Sequence, residues 1–124
     1  MRPPWPCWGA DVPTAAYGMF LEAMRGRRQV VCTFQGRRRE ICPVILGHTD
    51  GRERVLAFQF GGESSKPLPP GGAWRCLTLD EVTRIELRDG PWRAGDEHGT
   101  RQTCVAEADY DVNPASPYHP RFRL

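Results

Sequence analysis

The sequence predicts a mainly β fold: a small five-stranded barrel with one N-terminal helix and an additional C-terminal edge strand. Three observations lead there. Between Gln29 and Leu87, five short runs alternate their side chains with the period of two that a strand requires. Turn-forming pairs separate several of them, including Gln35-Gly36, Asp50-Gly51 and Asp80-Glu81. A chain of 124 residues supports one domain with a modest core, not two.

Residues 1–13 come first, with Pro3, Pro4, Pro6 and Pro13 around Trp5 and Trp8. Prolines this dense forbid a helix or a central strand, so the segment is an extended arm. Its tryptophans would pack on the domain or on a second copy, which makes the arm a candidate for homo-oligomer formation. Thr14 can cap a helix to about Arg25, in which Tyr17, Phe20, Leu21 and Met24 form one apolar stripe. Gly26 is a natural stop.

The first strand is Gln29–Gln35, with Val30, Cys32 and Phe34 alternating with Val31 and Thr33. The second runs from Arg38 to Gly47, where Pro43 removes a backbone donor and places an edge or a bulge. Asp50-Gly51 turns the chain into the third strand, Arg54–Phe60. Leu56, Phe58 and Phe60 lie on one face of it and Val55, Ala57 and Gln59 on the other, as in a central or barrel strand. Residues 61–73, rich in glycine and proline, form the longest loop of the barrel. Trp74–Leu79 is the fourth strand and Val82–Leu87 the fifth. Residues 14–90 thus hold the helix and barrel, while 91–124 hold a polar loop, an edge strand within Gln102–Val112 and a tail. In that edge strand Glu107, Asp109 and Asp111 would form an acidic solvent face.

Composition is that of a soluble globular protein, 40% apolar and 26% charged. The net charge of +2 does not by itself argue for nucleic acid, but its distribution is uneven. Residues 25–39 hold six arginines and no acid, whereas 80–111 carry a local balance of −5. No run reaches membrane-spanning length and no secretory h-region opens the chain, so a cytoplasmic protein with reduced thiols is expected. Cys32, Cys42 and Cys76 sit in strand patterns and fit as small core residues. The five cysteines form no CxxC pair and none has histidine at ligand spacing, so neither zinc nor any other cofactor is expected.

The strongest constellation is Arg39-Glu40-Ile41-Cys42-Pro43, then Gly47, then Val55-Leu56-Ala57-Phe58-Gln59, then Trp74-Arg75-Cys76-Leu77-Thr78-Leu79-Asp80-Glu81-Val82. Its order resembles the WYL domain family of bacterial transcriptional regulators over roughly residues 20–88. The resemblance implies an SH3- or Sm-like small barrel acting in regulation and recognising nucleic acid or a nucleotide-like anion, without catalysis. At the namesake tripeptide stand Arg54-Val55-Leu56, with neither tryptophan nor tyrosine.

The chemistry of the residues points the same way. A guanidinium offers a planar fork of donors that matches phosphate oxygens. Arg39 and Arg75 are the expected anion contacts, with Arg37 and Arg38 as peripheral steering charges. Two alternatives compete: a solvated hairpin tip for Arg37–Arg39, and a salt bridge from Arg75 to Asp80 or Glu81. Gln59 could hydrogen-bond a ligand or simply be polar on the exterior, and Trp74 could stack on a base or pack at the rim. No nucleophile–base spacing suggests an enzyme. A protein-interaction module built on the arm is the alternative function.

Overall fold

The computed structural model describes residues 13–64, 66–92, 102–113 and 116–124. The element order is α1 (Ala15–Gly26), β1 (Gln29–Phe34), β2 (Arg37–Thr49), β3 (Arg52–Gly62), β4 (Ala73–Thr78), β5 (Val82–Arg88), β6 (Glu107–Asp111) and β7 (Phe122–Arg123). The fold is mainly β, one seven-stranded sheet with the N-terminal helix packed on it. All pairings are antiparallel except that of β6 with the short β7. The arm falls on residues outside those described, apart from Pro13.

Local chemistry explains the hairpins. Gln35 and Gly36 have φ of 53° and 74°, and Asp50 and Gly51 have 52° and 79°. Two consecutive positive φ values give the turn whose twist matches antiparallel strands, and Asp-Gly is among its preferred pairs. Thr14 caps α1 by accepting the Tyr17 N–H at 3.2 Å. The helix includes the expected stop glycine and is capped one residue later. Arg27, not Gly26, takes the left-handed conformation at φ 52°, and its N–H reaches the carbonyls of Ala23 and Met24.

The ladder runs β4-β3-β2-β1-β5, and it does not close into the expected barrel. A single 3-10 turn, Leu79–Glu81, carries the chain from β4 across to β1 rather than back along β4. Leu79 and Val82 are buried at either end of that turn. So short a link keeps the start of β5 close to the end of β4, so the sheet curls, yet among the described residues β5 pairs with β1 and β4 with β3, and no pairing joins β4 to β5.

β2 is the organising strand. Its first part pairs with β1 through residues 37–41, and its last part pairs with β6 through residues 45–48, while β3 runs along its other side. The register shifts between Pro43 and Ile45. Pro43 therefore lies at a bulge, as its missing donor requires, but on a central strand.

The additional strand exists as β6, with its faces inverted. Asp109 is 9% and Asp111 0% exposed, so these acids do not form a solvent face. Asp111 accepts the Asn113 N–H at 2.8 Å and the Ser116 hydroxyl at 2.6 Å. Asp109 serves Tyr17 and His48. Each buried carboxylate is tolerable because donors replace its lost water.

A second correction concerns the thiols. Cys76 is exposed rather than core-filling, and it forms a disulfide with Cys104, 28 residues away in sequence. Cys32 and Cys42 are buried and lie outside this disulfide.

Candidate functional site: an arginine cavity on three strands

Three adjacent strands bring Arg39, Gln59 and Arg75 together. Gln59 on β3 stands opposite Ile41 on β2 and Ala73 on β4. Arg39 and Arg75 are two residues beyond those partners, hence on the same face at diagonal positions. The Gln59 side chain is the hub. Its Oε1 accepts from Arg75 Nε at 3.0 Å and from Arg39 Nη1 at 3.3 Å. Its Nε2 donates to the carbonyls of Gly61 and Glu63, both at 2.9 Å. One carboxamide thus orients two guanidinium groups and ties down the start of the long loop.

Gln59 is fully buried, so the exterior placement expected from its alternation is wrong. The Val55, Ala57 and Gln59 face of β3 is the interior one, while Phe58 and Phe60 are only half-buried. The polar side chain survives there because its donors and acceptor are all used. Through those bonds it orients Arg39 and Arg75.

Arg39 is 6% exposed, unusual for a charged side chain. Its Nη2 donates to the Phe34 carbonyl at 3.3 Å, and its guanidinium carbon lies 5.5 Å from the centre of the Phe34 ring. Its Nε is buried without a hydrogen-bond partner. Burial, then the neighbouring charges of Arg75 and Arg37, make the protonated form less favourable than in a free arginine. The side chain nevertheless stays charged, since a guanidinium does not lose its proton in a protein.

These groups open into a cavity of about 320 Å³ that Arg54, on β3, also lines. Arg54 Nε is likewise buried and unpartnered, and its Nη1 lies 3.9 Å from Cys76 Sγ. Arg54 was not a sequence candidate. Its register against Thr78 puts it on the same face as Cys76, the face opposite Gln59 and Arg75, so only the folded cavity, which reaches both faces, brings it to them. Among the described residues, no carboxylate forms an ion pair with Arg39, Arg54 or Arg75. Glu81 lines the cavity but lies 3.7 Å from Arg52, which also binds Asp80 at 3.0 Å. Arg52 thus forms the salt bridges that competed for Arg75.

The other candidates divide. Arg38 is exposed and paired with Glu40 at 2.7 Å, so it belongs to the solvated hairpin. Arg37, half-buried, acts on Arg39 through its charge. Trp74 is half-buried and packs edge-on against Phe58, ring centres 5.5 Å apart, which fits rim packing.

A larger, open cleft of about 950 Å³ lies by β6, with Tyr17, His48, Asp109 and Arg121 in its lining. The Tyr17 hydroxyl donates to Asp109 Oδ2 at 2.5 Å, and His48 Nδ1 lies 3.1 Å from the same oxygen. Burial and Asp109 hold the Tyr17 hydroxyl far above its usual range. Sequence spacing did not reveal this cluster, since its members come from α1, β2 and β6. Its carboxylate already has two partners, whereas no carboxylate among the described residues pairs with the three arginines of the smaller cavity, so the smaller space is the better anion site. Among the described residues, no group of three His, Cys, Asp or Glu side chains could hold a metal ion.

Comparison with protein-family models, with curated proteins and with solved structures finds no match for this chain.

Proposed function

We propose that this protein is a non-enzymatic, WYL-like regulatory or sensing module of the cytoplasm. It binds an anionic ligand, nucleic acid or a nucleotide, in the arginine cavity. The reading takes the helix and first five strands as an opened SH3- or Sm-like barrel, with the strand order in support. The observation that carries it is one cavity lined by three guanidinium groups, Arg39, Arg54 and Arg75, none of them paired to a carboxylate among the described residues.

Like charges close together are costly when no counter-ion faces them. A phosphate group in the cavity would supply that counter-ion. It would accept from the outer guanidinium nitrogens that line the cavity and neutralise the crowded charge on Arg39. The remaining peripheral arginines, Arg37 foremost, would then steer anions toward the opening.

The test is a salt-titrated binding panel of single- and double-stranded oligonucleotides, mononucleotides and cyclic nucleotides, read by fluorescence anisotropy. Affinity should fall steeply as salt rises. An Arg54→Gln/Arg75→Gln variant, which leaves the buried Arg39 in place, should bind at least about tenfold more weakly. Wild-type affinity in that variant and in Arg39→Ala/Arg75→Ala would remove the cavity from the function.

A further inference from the structure

We propose that the Cys76–Cys104 disulfide is a redox switch on the arginine cavity: oxidised, it leaves the cavity open to anions, and reduced, it supplies an internal one. The proposal rests on the anion-binding reading of that cavity and concerns its regulation. Cys76 lines the cavity from β4, is exposed, and keeps its sulfur 3.9 Å from Arg54 Nη1. Cys104 is 7% exposed, with its sulfur 3.5 Å from the Val55 carbonyl oxygen. The bond thus joins an exposed residue beside a guanidinium to a buried residue whose sulfur faces a carbonyl.

That asymmetry fixes the course of reduction. A dithiol reductant attacks Sγ of Cys76, the exposed residue of the pair. The S–S bond breaks, and its electron pair leaves on Cys104, which takes a proton and can donate it to the Val55 carbonyl. The second thiol of the reductant then displaces Cys76 from the mixed disulfide, and the reductant closes to its own disulfide. Cys76 leaves as a thiolate beside Arg54, where positive charge favours the ionised form, and the last proton goes to solvent. The thiolate gives Arg54 a counter-ion inside the chain and lowers the charge that Arg39 and Arg75 present to a ligand. Disulfides in a cytoplasmic protein are mostly transient or redox-sensing, which fits the proposed setting.

The experiment measures the affinity of pyrophosphate and of a labelled oligonucleotide for four forms. These are oxidised wild type, wild type in dithiothreitol, Cys104→Ser, and Cys76→Ser/Cys104→Ser. Oxidised wild type and the double variant should bind alike, whereas reduced wild type and Cys104→Ser should bind about tenfold more weakly. If Cys104→Ser does not fold, reduced wild type against reduced Cys76→Ser makes the same comparison. Equal affinity of oxidised and fully reduced protein, with reduction verified by thiol titration, would overturn the switch. So would equal binding by Cys104→Ser and the double variant. Absence of binding in every form would instead bring down the anion-binding reading beneath it.

Discussion

Replacing Gln59 by methionine keeps the length of the side chain and removes every hydrogen bond it makes. Four partners lose a contact: Arg39, Arg75 and the carbonyls of Gly61 and Glu63. Arg75 is half-buried and Glu63 is exposed, so water can serve them. Arg39, at 6% exposure, has no such recourse. Orphaning one buried charged donor, with a smaller loss at Gly61, costs about 2–3 kcal/mol. With a urea m-value of about 2 kcal/mol/M, the unfolding midpoint should fall by about 1–1.5 M. A cycle with Arg39→Met isolates the cause. If Gln59 matters because it supports a buried cation, removing that cation first should make the second substitution cheaper by at least about 1 kcal/mol. Urea titrations of the four proteins supply the numbers. Additive losses, agreeing within about 0.5 kcal/mol, would refute the claim that the carboxamide exists to hold the arginine.

Other predictions address different parts of the fold. Hydrogen bonds from Arg88, then from Arg38, hold the Glu40 carboxyl below its usual value of 4.5. Its contribution to stability should be complete above about pH 5 and vanish as pH falls through the lowered value. Thermal melts of wild type and Glu40→Gln should therefore diverge near neutrality and converge in acid; a constant gap down to pH 2 would contradict this. A Cβ on Gly47 would sit 2.0 Å from the Glu107 carbonyl oxygen. Gly47→Ala should cost about 1–3 kcal/mol and strip amide-exchange protection from 107–111 more than from β3, whereas uniform retention would argue against tight β2–β6 pairing. Burial pushes the Cys32 thiol up to about 11, with Arg39 opposing in part. Native protein at pH 8 should leave Cys32 unlabelled by iodoacetamide until it is unfolded, and fast native labelling would place it nearer the surface.

The helix, the first five strands and the two hairpin turns were legible in the sequence because each follows from local chemistry. An apolar stripe, a period of two, and pairs such as Asp50-Gly51 need no distant partner to be read. The pairing of Arg39 and Arg75 as candidates also came from sequence, and the structure brings the two onto one side chain. Which face of β3 turns inward was not legible. Both faces carry apolar residues, so alternation gives two equal answers for Gln59 and only the neighbouring strands choose between them.

The sequence by itself settled where the first six strands lie and which residues carry the charge, whereas β7, Phe122–Arg123, falls in the segment expected to be a tail. Tertiary structure alone decided that β5 crosses to β1, that Asp109 and Asp111 are buried, that Arg54 joins the cavity, and that Cys76 finds Cys104. The physical reason is common to all four. Strand formation depends on neighbours two residues away, whereas burial and pairing depend on groups brought together from distant parts of the chain. Cys76 and Cys104, 28 residues apart, have no local pattern that could announce their contact.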